Sequence, residues 1–244
     1  MIDLSNNKLS YDNVDTMYSQ INKKSDKEIN TIWLGLQDYD PVFDLQKKIH
    51  SNRINKKIND VILMLEHEHV YTLGKNANPD HVLTDEDKTV QVDRGGDVTY
   101  HGPGQLVCYP ILDLNKYSKS VTWYVNLLQD TILSILSKYK NKAIKKNSPY
   151  TGVWVDDEKI AAIGIRLSKW TSMHGFSINV NTNLSYYDNI IPCGIFEYGI
   201  TSINALTSKK VDMLSFANEI NRGALLLVSD TPMIPEGIKT EEMD

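Results

Sequence analysis

Hydrophobic positions along the chain change their spacing repeatedly, and each change marks a new element. The run TIWLGL at 31–36 is apolar enough for a first strand. Beyond it, Asp40 can cap a helix with Pro41 at the first helical position, where a missing N–H costs nothing. Val42, Leu45 and Ile49, and less regularly Ile54 and Ile58, then share one helical face. VILMLE at 61–66 is short and continuously apolar, which predicts a buried strand, and VYTLG at 70–74 stays extended until its glycine. NANPDHVLTDED is a polar loop broken by proline, TVQVD at 89–93 is extended, and QLVCYPILDL at 105–114 is a further strand. Ser120 can cap a long helix in which Val121, Tyr124, Leu128, Ile132, Ile135 and Tyr139 fall near helical spacing.

The second half is richer in strands. GVWV at 152–155 and IAAIGIRL at 160–167 form a hairpin with DDEK at or near its turn, and MHGFSINVN at 173–181 alternates as a strand should. A last helix falls within 211–227. No internal repeat is present. The expected fold is α/β or α+β, with a large, mostly antiparallel sheet flanked by helices. Residues 1–30, polar with an Asn/Lys/Asp bias, are expected to form a loosely held arm. Residues 31–230 are expected to form one domain and 231–244 a polar, acidic tail.

Length and composition agree with this division. A chain of 244 residues buries about 70–75% of its unfolded surface, so a sizeable core is available. The net charge of −5 gives no global basic field of the kind nucleic-acid binders use. Lys145 and Lys146 are a local docking point or, more simply, a solvated loop. The first 30 residues have no apolar core of a secretory signal, and five acidic residues without an arginine argue against a transit peptide. No apolar run approaches the ~20 residues of a membrane helix. The expected location is the cytoplasm, without membrane or nucleic-acid partners. Two distant cysteines, Cys108 and Cys193, are no disulfide scaffold.

The stretch RGGDVTYHGPGQ at 94–105 concentrates glycine, proline, arginine and histidine. It matches neither a P-loop nor a dinucleotide-binding loop, and Gly104 leads into a strand, not a helix N-terminus that could hold phosphate. A plain structural turn would account for the glycines but not for Arg94, Tyr100 and His101. His67 and His69 are two residues apart and would share a strand face. No third metal ligand accompanies them, so packing or hydrogen bonding is their default role. Cys108 lies inside an apolar strand, where cysteine behaves as a small hydrophobe. Cys193, between Pro192 and Gly194, can be presented to a cleft, but an activated thiol needs a positive neighbour. Lys159 could serve, charged or neutral, yet most lysines beside a hairpin turn are solvated, and no spacing brings the two together.

RGGDVTYHGPGQ, GVWVDDEKIAAIGIR, HGFSINVN and IPCGI resemble, in order and spacing, the lipoyl(octanoyl) transferase family. The resemblance runs from about Trp33 to Thr201 and includes LEHEHVYTLG; His69 departs from it, standing where the family usually has proline. It implies a single domain of the biotin/lipoate protein ligase type and an acyl transfer that needs no cofactor and no metal. Octanoyl would pass from acyl carrier protein to the lysine of a lipoyl domain, in 2-oxoacid dehydrogenase E2 subunits or the glycine-cleavage H protein. By motif, Cys193 matches the family's nucleophile and Lys159 the lysine that activates it. Arg94, Gly95, Gly96, Asp97, Val98, Thr99, Tyr100 and His101 match an acyl-substrate segment. So do Ala162, Ile163 and Gly164, and Gly175, Phe176 and Ser177. The roles of Tyr100, His101 and His174 stay open between loop geometry and proton transfer. Two rivals share parts of this pattern: an ATP-dependent lipoate–protein ligase, which needs no cysteine, and a non-catalytic carrier-binding module, which needs neither Cys193 nor Lys159.

Overall fold

Continuous apolar runs place the central strands in the middle of a sheet that is covered on both faces. The computed structural model describes residues 1–23, 28–84, 89–139, 143–147, 150–194 and 198–229. In chain order the elements are β1 (Ile2–Asp3), α1 (Val14–Lys23), β2 (Ile29–Gln37), α2 (Tyr39–Ile54), β3 (Asp60–His67), β4 (Val70–Leu73), β5 (Thr89–Gln91) and β6 (Val98–His101). There follow β7 (Gln105–Ile111), α3 (Val121–Leu136), β8 (Ala143–Lys146), β9 (Gly152–Val155), β10 (Glu158–Ser168), β11 (Thr171–Asn179), β12 (Gly199–Ile200), α4 (Ile203–Thr207) and α5 (Met213–Ser229).

Nine strands form the main sheet in the order β1-β2-β3-β7-β11-β10-β9-β8, with β12 beside β10. β1, β2 and β3 pair in parallel, as do β10 and β12; the other pairings of this sheet are antiparallel. A three-stranded sheet, β5-β4-β6, stands apart. The expected mixed fold with a largely antiparallel sheet is what the chain adopts.

Strand alternation divides the core. On β3, Ile62 and Met64 join Leu106 and Cys108 of β7 in a cluster that includes Tyr124, Leu128 and Ile132 of α3 and Phe216 and Ile220 of α5. Val61, Leu63 and Leu65 face the other way, with Val107, Tyr109 and Ile111, against Val42, Leu45 and Ile49 of α2. The Ser120 hydroxyl accepts the Trp123 N–H at 3.2 Å, so α3 begins at the predicted cap.

The N-terminal segment departs from expectation. It is no loose arm: Leu4, Leu9, Val14, Met17 and Ile21 are buried in the second cluster. β1 pairs with β2, and the buried Gln37 amide accepts from Leu9 N and donates to Asn7 O. Its few apolar residues fall on one side of α1, so a polar composition hides an amphipathic helix. The C-terminal tail, 231–244, lies outside the described residues. Among the described residues, no helix is long and apolar enough to cross a membrane.

Candidate active site

Cys193 sits in the short turn Pro192–Gly194, half-buried, with φ +57° and ψ +19°. Positive φ costs a non-glycine residue on the order of 1–3 kcal/mol and persists only where surroundings enforce it. After this turn the chain returns to the main sheet as β12, where Gly199 pairs with Glu158 and Ile200 with Lys159. The Thr201 N–H donates to the Lys159 carbonyl at 3.1 Å. The segment carrying the thiol is therefore stitched to the strand carrying the lysine. No sequence spacing reveals that return.

Lys159 is only 4% exposed, against the expectation for a lysine beside a hairpin turn. The cause is a register shift between Lys159 and Ala161 where β10 pairs with β9. Such a bulge bends a strand and re-aims its side chains. The Lys159 ammonium lies 5.0 Å from the ring centroid of buried Trp154, whose indole N–H is fixed on the Tyr150 carbonyl at 3.0 Å. A desolvated cation–π contact of this kind is worth up to ~2 kcal/mol. Cys193 and Lys159 line one cavity of about 300 Å³.

The rest of the wall comes from the predicted segments. Ala162, Ile163 and Gly164 on β10 stand opposite Ser177, Phe176 and Gly175 on β11, so two stretches that are distant in sequence are cross-strand partners. Gly175 is required there: a Cβ would lie 2.2 Å from the Cys108 carbonyl oxygen. Gly95 N–H donates to the Ile165 carbonyl at 2.9 Å, which fastens the glycine-rich loop to β10. Arg94 is buried and points inward. It donates to the Thr72 carbonyl at 2.6 Å and the Thr72 hydroxyl at 2.9 Å. Burial holds its pKa below the usual arginine value, and it lines the same cavity as Cys193.

β6 sorts the remaining loop residues by alternation. Thr99 and His101 line the cavity with Arg94, Gly95, Gly96 and Asp97. Val98 and Tyr100 turn away into a separate cluster with Tyr71, Tyr187 and Ile190. The second half of the motif is structural. A Cβ on Gly102 would fall 1.8 Å from the Tyr100 hydroxyl, and one on Gly104, at φ +83°, would fall 2.7 Å from Asn181 backbone atoms. RGGDVTYHGPGQ is thus half cavity wall and half bend into β7.

His101 is buried, and burial pulls its pKa down to about 4, with the Gln105 hydrogen bond opposing. The Gln105 amide nitrogen donates to Tyr100 O, Asn179 Oδ1 and Tyr187 OH. Its oxygen faces His101 Nδ1 at 2.6 Å, so that nitrogen carries the proton and Nε2 is an acceptor. His174, also on the wall, bonds through Nε2 to Asp93 at 2.7 Å, and burial holds its pKa below the usual histidine value.

His67 and His69 do not share a strand face: β3 ends at His67, and the chain bends before β4. His67 meets the Tyr109 hydroxyl at 2.9 Å, whereas His69 meets the Tyr100 hydroxyl at 2.8 Å and stacks on Tyr186. Sequence reasoning missed Tyr39, Val107, Tyr109, Val121, Val125 and Thr151 as lining residues. Val107 and Tyr109 read as strand positions and Val121 as part of a helical face, and nothing local marks any of the six as lining a cavity.

A buried lysine and a cysteine on a strained turn therefore line one cavity with the glycine-rich wall, an arrangement suited to an enzyme site. Comparison with known proteins gives the class. The family model of the lipoyl protein ligase A/B catalytic domain matches residues 38–223. An octanoyltransferase of Caldicellulosiruptor saccharolyticus is 41% identical over 76% of this chain and 82% of its own. Another, of Christiangramia forsetii, is 39% identical over 75% of this chain and 88% of its own. The chain belongs to the lipoyl protein ligase A/B catalytic domain family, on its octanoyltransferase branch, and is an acyltransferase.

Solved structures share the fold. A lipoate-protein ligase A bound with ATP superposes with a TM-score of 0.60 at 11% identity, over 82% of this chain and 85% of the other. A bipartite lipoate protein ligase of Thermoplasma acidophilum gives 0.60 at 10% identity, over 82% and 83%. The expected biotin/lipoate protein ligase-like architecture is confirmed at that level.

Proposed function

We propose that this enzyme takes octanoyl from the thioester of acyl carrier protein and delivers it to a lipoyl-domain lysine through a thioester on Cys193. The acceptors in this reading are E2 subunits of 2-oxoacid dehydrogenases and the glycine-cleavage H protein, and the reaction takes place in the cytoplasm without a cofactor. The single observation that supports it most is that Cys193 and Lys159 line one cavity, with apolar and backbone groups around them.

In this mechanism Lys159, as an ammonium, stabilises the Cys193 thiolate. The thiolate attacks the octanoyl carbonyl, and the carrier sulfur leaves as a thiol by taking a proton from the Lys159 ammonium, which becomes the neutral amine. Exchange of one thioester for another is close to thermoneutral, so no activation by ATP is needed. The acceptor amine then attacks the acyl-enzyme, Lys159 takes its proton as a general base, and the Cys193 thiolate is released as the amide forms. The tetrahedral oxyanion in each step needs preorganised donors, for which N–H groups of the glycine-rich loop are suited. The seven carbons beyond the carbonyl gain at most about 5–6 kcal/mol by burial, enough to favour a medium chain. The test is intact-mass analysis after exposure to octanoyl-acyl carrier protein: one octanoyl group on Cys193 is expected. Turnover that requires ATP and free octanoate would reject this reading.

A further inference from the structure

The turn holding Cys193 is backed by a group that no part of the reaction uses. We propose that His81 is a positioning residue, clamping the Cys193 turn against Asp97 of the glycine-rich loop; this rests on the reading of Cys193 as the nucleophile. His81 ends a short helical turn, Pro79–His81, far from Cys193 in sequence. Its Nδ1 lies 2.5 Å from Asp97 Oδ2. Its carbonyl accepts the Ile191 N–H at 2.8 Å, and the neighbouring residues continue the contact: Val82 bridges Ile190, and Leu83 N–H donates to the Asn189 carbonyl at 2.8 Å.

Gly194, at φ +68°, closes the clamp. A Cβ there would lie 2.8 Å from Asp97 Oδ2 and 3.1 Å from His81 Cε1, so the backbone following Cys193 rests on the His81–Asp97 pair. Asp97 is itself fixed, because Oδ1 accepts the N–H groups of Asn78 at 3.1 Å and Val98 at 2.7 Å. Asp97 also lines the cavity. The pair thus joins three segments: the loop at 77–83, the cavity wall and the nucleophile turn. Cys193 is held in a positive-φ conformation that it would not keep unaided. Releasing the clamp should move the sulfur rather than empty the acyl pocket.

Single-turnover acylation from octanoyl-acyl carrier protein tests this in the full-length enzyme. A misplacement of about 1 Å costs about 100-fold in rate, so His81→Ala should slow acylation by that order. The donor concentration for half-saturation should change little. His81→Asn, whose amide can still donate to Asp97, should recover a large part of the loss. Because both residues act through one contact, the His81→Ala/Asp97→Ala double variant should be little slower than the worse single variant.

A wild-type rate in His81→Ala, or an effect confined to half-saturation, overturns the proposal. So does a loss equal in His81→Asn, or one that simply follows Tm. Amide hydrogen exchange at Ile191 and Gly194 reads the clamp without any chemistry: it should quicken in His81→Ala, and unchanged exchange also overturns the inference. If wild-type enzyme never acylates Cys193, the functional reading fails while the exchange experiment still decides the clamp.

Discussion

The two cysteines occupy regions that could hardly differ more. Cys108 is 1% exposed on the central strand β7, between Met64 of β3 and Phe176 of β11. Burial there pushes its thiol far above the usual range, so no thiolate forms at physiological pH. Cys193 sits half-buried on a positive-φ turn, sharing a cavity with Lys159 and Arg94. The same side chain is filler in one region and is offered as a nucleophile in the other. What differs is the backbone that holds it and the charges that surround it.

Substitutions can break this contrast at graded strengths. Cys193→Ser should abolish acyl-enzyme formation altogether, as seen by intact mass. Lys159→Ala should slow acylation by about 100-fold or more, the range for a lost general acid–base, with the far-UV spectrum unchanged. Wild-type rates in that variant would remove Lys159 from the mechanism. Gly175→Ala should destabilise by about 3 kcal/mol in urea unfolding, because its Cβ would press on the Cys108 carbonyl between paired strands.

Acid should single out His101. Its folded pKa of about 4 lies below the ordinary 6.5, so the unfolded chain binds the proton more readily. Stability therefore falls as pH drops from about 6.5 towards 4, by roughly 3 kcal/mol in all. His101→Gln should flatten that part of the curve, measured by denaturant unfolding at several pH values. At the weak end, Cys108→Ala should cost only about 1 kcal/mol of stability and leave acyl transfer near wild type.

Local pattern revealed the strands and helices well, because burial on both faces of β3 and β7 leaves continuous apolar runs. Where it failed, the reason was long-range. Residues 1–30 looked like an arm because their composition is polar, although Val14, Met17 and Ile21 line one face of α1 and dock on the second cluster. The motif stretches placed most of the cavity wall, yet treated Arg94–His101 as a unit. Strand alternation on β6 removes Val98 and Tyr100 from the wall. Lys159 is buried because of a bulge, and it shares the cavity with Cys193 through the β12 return; neither is written in a local spacing. The contact of His81 with Asp97 joins two loops in the same hidden way.

Peptide mapping of the intact enzyme after brief exposure to octanoyl-acyl carrier protein tests the central claim most directly. The account predicts one octanoyl group, confined to the peptide containing Cys193 and released when a lipoyl domain is added. An octanoyl group on Cys108, or transfer to the lipoyl domain by the Cys193→Ser variant, would contradict it.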